Sequence, residues 1–437
     1  MNNLLLSFVG DDFTGSTDAM ESLARSGVRT ALFTEPPTDE QLAKYPGLRA
    51  FGIAALTRSL PAEEMEQALR PIFQSLRQTG APIVHYKVCS TFDSSPAVGS
   101  IGRVIDVGME AFGSRFVPVV VGAPDLGRYC VFGNLFARCG SESEPYRLDR
   151  HPSMSRHPVT PMDEADLRRH LARQTSKSIG LLDLLQLESP AATVRERFDA
   201  MVASGQEVML IDTLYPRHLM KIGQLLAEKA SERPPLFVVG SSGVESALCA
   251  HWKDAGVIAG EAAFAAPAYV GPIVVVCGSC SPVTAQQIDW AAGNGFAMVE
   301  LSVHDLLSEN VERAMRDAIA SAASAVNGGH SVVIRTGASR TAGVEGADRH
   351  RIGISLGKLL RRLLENVAVR RLLIAGGDTS SQVARALGIA AVEMIGELTR
   401  GSPLCCATAP DSPADGVQIT FKGGQIGAVD FFGSVEA

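Results

Sequence analysis

Two aspartates, Asp11 and Asp12, stand side by side where the apolar run of "LLLSFVGDDFTGSTDA" breaks off, just ahead of Thr14, Ser16, Thr17 and Asp18. Adjacent carboxylates repel unless a cation, a donor-rich ligand or backbone N–H groups hold them. Sugar hydroxyls are donor-rich, and a carboxylate beside one can accept its proton as a general base. A plainer role competes: Asp12 or Thr14 capping the helix predicted for "STDAMESLARSG", which accounts for one carboxylate and not for two. The theme recurs in "YKVCSTFDSSP", where Lys87 precedes Ser90, Thr91, Asp93, Ser94 and Ser95 at another strand end. A third loop, "ALTRSLP", sets Arg58 after the strand "RAFGIAA", and the arginine fork suits a carboxylate. Each cluster alone reads as an ordinary turn. Together they predict a pocket for a small polyhydroxy acid, with Asp toward hydroxyls and Arg or Lys toward the anion.

The later half carries different chemistry. "PIVVVCGSCSPVTAQQIDWA" places Gly278, Ser279, Cys280 and Ser281 between a strand and a helix, and "RLLIAGGDTSSQVARALG" does the same with Gly376, Gly377, Asp378, Thr379 and Ser380. Glycines let backbone approach a phosphate, and the helix N-terminus adds free N–H donors and a favourable dipole. "RTGASR" joins the same edge, and "TFKGGQIGAVDFF" supplies Lys422, Gly423 and Gly424. Tight βα turns alone would use the same glycines. No stretch is a Walker A motif, since "GISLGKLL" has the wrong spacing and reads as the body of an amphipathic helix. "GGDTS" lacks the third glycine of the dinucleotide fingerprint. Cys277 and Cys280 form a C-x-x-C with no partner pair at zinc-like spacing, so cysteine as a small filler in a phosphate loop is preferred to a redox or zinc centre. His151 and His157, set among Arg147, Arg150 and Arg156, fit a basic, proline-stiffened loop better than a metal site. No residue is assigned to a metal.

The elements that must position these residues alternate. Short β-branched runs ("LLLSFV", "TALFT", "PIVHYKV", "FVPVVVG", "EVMLIDT", "PLFVVG", then "PIVVVCG", "FAMVEL", "SVVIRTG", "RLLIAGG") are separated by segments with apolar residues at helical spacing, such as "AEEMEQALRPIFQSLRQTG". That alternation predicts α/β architecture with mostly parallel sheets covered on both faces. In such sheets ligands gather at the carboxyl ends of strands. A chain of 437 residues exceeds one ordinary core, and the Ala- and Gly-rich "AGVIAGEAAFAAPAYVGP" predicts a boundary that gives domains of residues 1–262 and 263–437. The segment "CGSESEPYRLDRHPSMSRHPVTPMDEAD" is long for a structureless connection, so it is either functional or built from short elements. Hydrophobic residues are 46% and charged residues 20%, with a net charge of -7 and no Lys/Arg block, which argues against a nucleic-acid partner. No apolar run is long enough to span a membrane and no signal peptide is evident. A cytoplasmic protein with reduced cysteines is expected.

Taken in order, "DDFTGSTDA", "YKVCSTFDSSP", "HPVTPM", "CGSCSPVT", "GGDTSSQVARALG" and "KGGQIGAVDFF" resemble the four-carbon acid sugar kinase family along nearly the whole chain. The resemblance implies two three-layer α/β domains, an acid-sugar-binding one followed by a nucleotide-binding one, with the active site in an interdomain cleft. It implies ATP-dependent phosphorylation of the terminal 4-hydroxyl of threonate, erythronate or 3-oxo-tetronate. By matching motif, Asp11, Asp12, Arg58, Lys87, Ser90, Thr91 and Asp93 would face the sugar acid, with Arg128 kept in "GAPDLGRYCVFGNLFA"; Gly278, Ser279, Ser281, Gly376, Gly377, Asp378, Thr379 and Gly424 would face ATP. Asp12 would take the hydroxyl proton, Arg58 and Lys87 would hold the carboxylate, and Mg²⁺ would bridge the phosphates within reach of Asp378. The chain departs from the family pattern in having Asp378 where glutamate is common, Asn134 where histidine is frequent, and "KGGQIG" for the usual "KSGNFG". A homodimer is the reasonable expectation for such an enzyme. The competing readings are a nicotinamide-dependent sugar-acid dehydrogenase and a sugar-acid binding protein that has lost transfer.

Overall fold

The computed structural model describes residues 4–140, 143–157, 159–278, 281–337 and 346–437. In chain order the strands of the earlier part are β1 (Leu6–Gly10), β2 (Thr30–Phe33), β3 (Ala50–Ala54), β4 (Ile83–Lys87), β5 (Val117–Val120) and β6 (Arg128–Val131). They continue with β7 (Asn134–Arg138), β8 (Pro145–Arg147), β9 (Ile179–Leu182), β10 (Val208–Ile211) and β11 (Leu236–Gly240). The later part holds β12 (Val274–Cys277), β13 (Ala297–Leu301), β14 (Val332–Thr336), β15 (Arg371–Ala375), β16 (Ala391–Thr399), β17 (Ser402–Thr408) and β18 (Gln418–Lys422). The chain is α/β. Its two compact units interleave in sequence: one comprises the chain up to Asp11, Ser22–Thr30 and Pro36–Ala262, the other Asp12–Glu21, Ala31–Glu35 and Ala263–Ala437.

The first unit is built on a parallel sheet in the order β3-β1-β4-β11-β5-β10-β9. Its central strands are buried from end to end, as expected where helices cover both faces. β3 lies on one side of β1 and β4 on the other, so the connections reverse direction at β1. That reversal opens a crevice at the strand carboxyl ends. The helices Ala62–Gln78 and Ile101–Phe112 pack on it through Phe73, Phe112 and Phe237, whose ring centroids lie 5.2–5.4 Å apart. A small antiparallel sheet, β6-β7-β8, belongs to the same unit. The long irregular segment proves to hold short elements, β8 and the 3₁₀ turns Leu148–Arg150 and Met154–Arg156.

The second unit has a parallel run β13-β14-β12-β15-β18, continued antiparallel through β17, β16 and β2. Here the reversal falls between β12 and β15. The core on one face gathers Val275, Ile288, Phe296, Leu373, Phe431 and Phe432. "GISLGKLL" lies within the helix Gly346–Leu364. Phe13 belongs to this unit as well, its ring 4.4 Å from that of Phe421.

Candidate functional site

Three strand ends meet in the first unit. The Asp11 N–H donates to Lys87 O at 3.0 Å, and the Arg58 N–H donates to Asp11 O at 3.1 Å. Arg58 also closes a two-pronged ion pair on Asp11, Nη2 to Oδ1 at 2.7 Å and Nε to Oδ2 at 3.1 Å. Lys87, buried, donates Nζ to Val88 O at 3.1 Å. Beyond β4 the Thr91 hydroxyl donates to Asp93 Oδ1 at 2.6 Å, and Ser90 is half-buried. Phe92 between them holds φ at 59° while fully buried. A bulky residue in the left-handed region is costly and concentrates where a loop's shape is over-determined.

Behind this loop Ser94 Oγ sits 2.8 Å from His170 Nε2 and accepts from Gln174 Nε2 at 3.0 Å. Burial pushes His170 down to about 4, so it is neutral at pH 7. Asp93 acts electrostatically on both His170 and His151, which places the β4 loop near the basic segment. His151 and His157 are turn caps here: His151 Nδ1 accepts from the N–H groups of Ser153 and Met154, and His157 Nδ1 from that of Thr160. Arg128 Nη1 is engaged with three main-chain carbonyls, those of Leu126, Gly127 and Arg138.

In the second unit β12, β15 and β18 end side by side, with Cys277 level with Ala375 and Ala375 with Lys422. Gly278, Gly376 and Gly424 therefore open from one edge. A Cβ on Gly278 would stand 2.2 Å from Thr379 Oγ1, so only glycine allows the two loops to touch. Gly376 holds φ at 117° and leads directly into the helix Gly377–Ala386. Ser281 stands just ahead of the helix Pro282–Gly293 and, rather than capping it, donates its hydroxyl to Gly424 O. Ser279, like Cys280, lies outside the described residues.

Asp12 belongs to this unit too. Its Oδ1 accepts the Gly15 N–H at 2.6 Å and its Oδ2 the Thr14 hydroxyl at 3.0 Å, so it caps the helix Phe13–Arg25. The next residue, Phe13, donates its N–H to Ser381 Oγ of the Gly377–Ala386 helix at 3.2 Å. A Cβ built on Gly377 would lie 2.9 Å from Asp12 Oδ2. The buried carboxylate thus stands directly against the glycine loop. Among the described residues no group of three or more His, Cys, Asp or Glu side chains could hold a metal ion. Asp378 lies in the first turn of the helix Gly377–Ala386, the acidic residue of this glycine loop. Residue-type reasoning overlooked His170 and Gln174 behind Ser94, because they come from a segment remote in sequence. It grouped Lys422 with the late glycine loops but gave it no role of its own, although it ends the strand "QITFK".

Comparison with known proteins adds a separate line. A family model described as a sugar-binding N-terminal domain matches residues 6–248, and one described as a nucleotide-binding C-terminal domain matches residues 274–432. The chain is 45% identical to a 3-oxo-isoapionate kinase of Paraburkholderia graminis, over 99% of this chain and 94% of that one. It is 32% identical to a 3-oxo-tetronate kinase of Methylobacterium radiotolerans, over 99% and 98%. A solved structure from Salmonella typhimurium LT2, described as that of a tRNA synthase, superposes with a TM-score of 0.78 at 27% identity over 98% of both chains. A Haemophilus influenzae protein shares the fold with a TM-score of 0.69 over 98% of this chain and 99% of that one, at 23% identity. With matches of this extent the chain belongs to the four-carbon acid sugar kinase family, a family of ATP-dependent phosphotransferases.

Proposed function

We propose that this kinase moves the γ-phosphoryl group of ATP to the terminal hydroxyl of a small 3-oxo sugar acid, of the isoapionate or tetronate kind. The observation that carries the reading is Asp12 pressed against Gly377, a proton acceptor beside a glycine loop at a helix N-terminus. In-line phosphoryl transfer asks little covalent chemistry of a protein, and catalysis is mainly positioning and charge neutralisation. Asp12 would orient the hydroxyl and take its proton, its carboxylate held in place by the Thr14 hydroxyl and the Gly15 N–H. The N–H groups of Gly377, Asp378 and Thr379 open the helix Gly377–Ala386, whose dipole favours phosphate. Mg²⁺, when bound, would neutralise phosphate oxygens, with Asp378 the residue to hold it. Lys87, Ser90, Thr91 and Asp93 would line the acid sugar's place in the first unit, and Asp11 would set Arg58 for the substrate carboxylate through their paired contact.

The preference for a 3-oxo acid over threonate or erythronate comes from the relatives, and the isoapionate kind from the higher identity. A coupled ADP-release assay over 3-oxo-isoapionate, 3-oxo-tetronate, threonate and erythronate tests it. Turnover is expected on one of the 3-oxo acids. Turnover confined to threonate or erythronate overturns the substrate reading, and ADP release from none of the four overturns the acid-sugar reading itself.

A further inference from the structure

The scheme above gives no role to Lys422, a buried cation of the second unit. Lys422 ends β18 and is fully buried, and among the described residues its ammonium has one hydrogen-bond partner, Thr284 Oγ1 at 3.0 Å. An ammonium carries three N–H donors. The Thr284 hydroxyl, having accepted from Lys422, donates to Gly424 O at 3.3 Å. That carbonyl is the one that receives the Ser281 hydroxyl. The main chain of Lys422 meanwhile accepts the Gly376 N–H at 2.9 Å. A single residue is therefore joined to all three loops that open from the edge of β12, β15 and β18. Among the described residues the titratable group acting on it is the Cys277 thiol of β12, which burial pushes up to about 12 and keeps neutral. From the helix side its hydrogen-bond partner among the described residues is the Thr284 hydroxyl, and its β15 neighbour is Ala375.

We propose that Lys422 is a positioning residue for the nucleotide's phosphates, holding the Ser281 and Gly424 loop ends through Thr284 and supplying positive charge beneath the place where the polyphosphate rests. The inference depends on the nucleotide reading of the second unit. Burial alone lowers Lys422 to about 8 in the free protein, because a desolvated ammonium is disfavoured. A polyphosphate above the loops restores the charged form, so nucleotide binding just above pH 8 must draw a proton from solvent.

Calorimetric titration with the magnesium complex of a non-hydrolysable ATP analogue, at pH 8.5 in two buffers of different ionisation enthalpy, reads that proton directly. The wild-type protein is expected to take up about three-quarters of a proton per nucleotide. Lys422→Met, which fills the same space without charge, should take up none and bind about tenfold more weakly. Thr284→Val should keep the uptake and lose affinity, a pattern that general loosening of the fold would not produce. It also keeps the test open if Lys422→Met fails to fold. Wild-type binding without proton uptake, or undiminished uptake in Lys422→Met, overturns the inference, while loss of binding in Gly377→Val shows that the nucleotide site itself still stands. A wild-type protein that binds no nucleotide overturns that site reading and this inference with it.

Discussion

Asp12 combines two duties that usually fall to separate residues. One oxygen caps a helix, and the other faces a glycine that has no room for a side chain. Asparagine can still cap through its carbonyl oxygen but cannot accept a proton. Asp12→Asn should therefore fold and bind nucleotide normally while kcat falls by about 10²- to 10⁴-fold, as expected for loss of a general base. Steady-state kinetics beside nucleotide titration checks this, and a wild-type kcat would remove Asp12 from the mechanism. Gly377→Ala probes the opposite wall. Its Cβ would meet Asp12 Oδ2 at 2.9 Å, and a small displacement of a reacting group can cost on the order of a hundredfold in rate. We expect kcat to drop by about that factor with little change in melting temperature.

Elements in the first unit are pinned by a polar pair that makes no chemistry of its own. His85 on β4 and Glu245 on the helix Gly243–Asp254 are both fully buried, with Nδ1 and Oε1 2.5 Å apart, and the far ring nitrogen meets Gly240 O at 3.1 Å. Nε2 therefore carries a proton, and the contact fixes the helix against the strand whose end holds Lys87. Removing one member of a buried pair typically costs about 3–5 kcal/mol because the other is left uncompensated. Glu245→Ala should lose stability of that order in urea titration. Unchanged stability would show that the pair is replaceable by solvent. In the second unit the β16–β17 turn is held similarly, with the Gly401 N–H donating to buried Glu21 at 2.7 Å.

Over the whole molecule, the buried bases His170 and Lys422 make stability depend on pH in separate windows, and His151, also lowered by burial, adds to the first. His170 belongs to the first unit and is lowered to about 4, so the unfolded chain binds more protons between about 4 and 6.5. Stability is then complete above the upper bound and is lost as pH falls through the window, by up to about 3 kcal/mol. Lys422 of the second unit is lowered to about 8, so its own contribution grows from about 8 toward 10.5, opposed above about 9 by buried thiols such as Cys249 and Cys277, which the fold keeps protonated up to about 12. Denaturant midpoints for wild type, His170→Gln and Lys422→Met across pH 4–10 check both windows. Each variant should remove its own group's share of the slope in that window and leave the other window's slope unchanged. No described helix is long and apolar enough to cross a membrane.

The sequence by itself determined the α/β alternation and the strands that are buried on both faces, because a continuous run such as "PIVVVCG" can satisfy its apolar side chains only inside a covered parallel sheet. It did not reveal β9, the antiparallel β16 and β17, or β18, and the burial of β9 and β16 is mixed along their length. The contacts of Asp11 and Asp12 show the same division. Residue types marked both carboxylates as needing partners, since adjacent like charges must be held. Only the tertiary structure decided that Asp11 pairs with Arg58 in one unit while Asp12 caps a helix and meets Gly377 in the other. Such partners lie dozens to hundreds of positions away, and local spacing carries no record of which strand ends the sheet order will bring together.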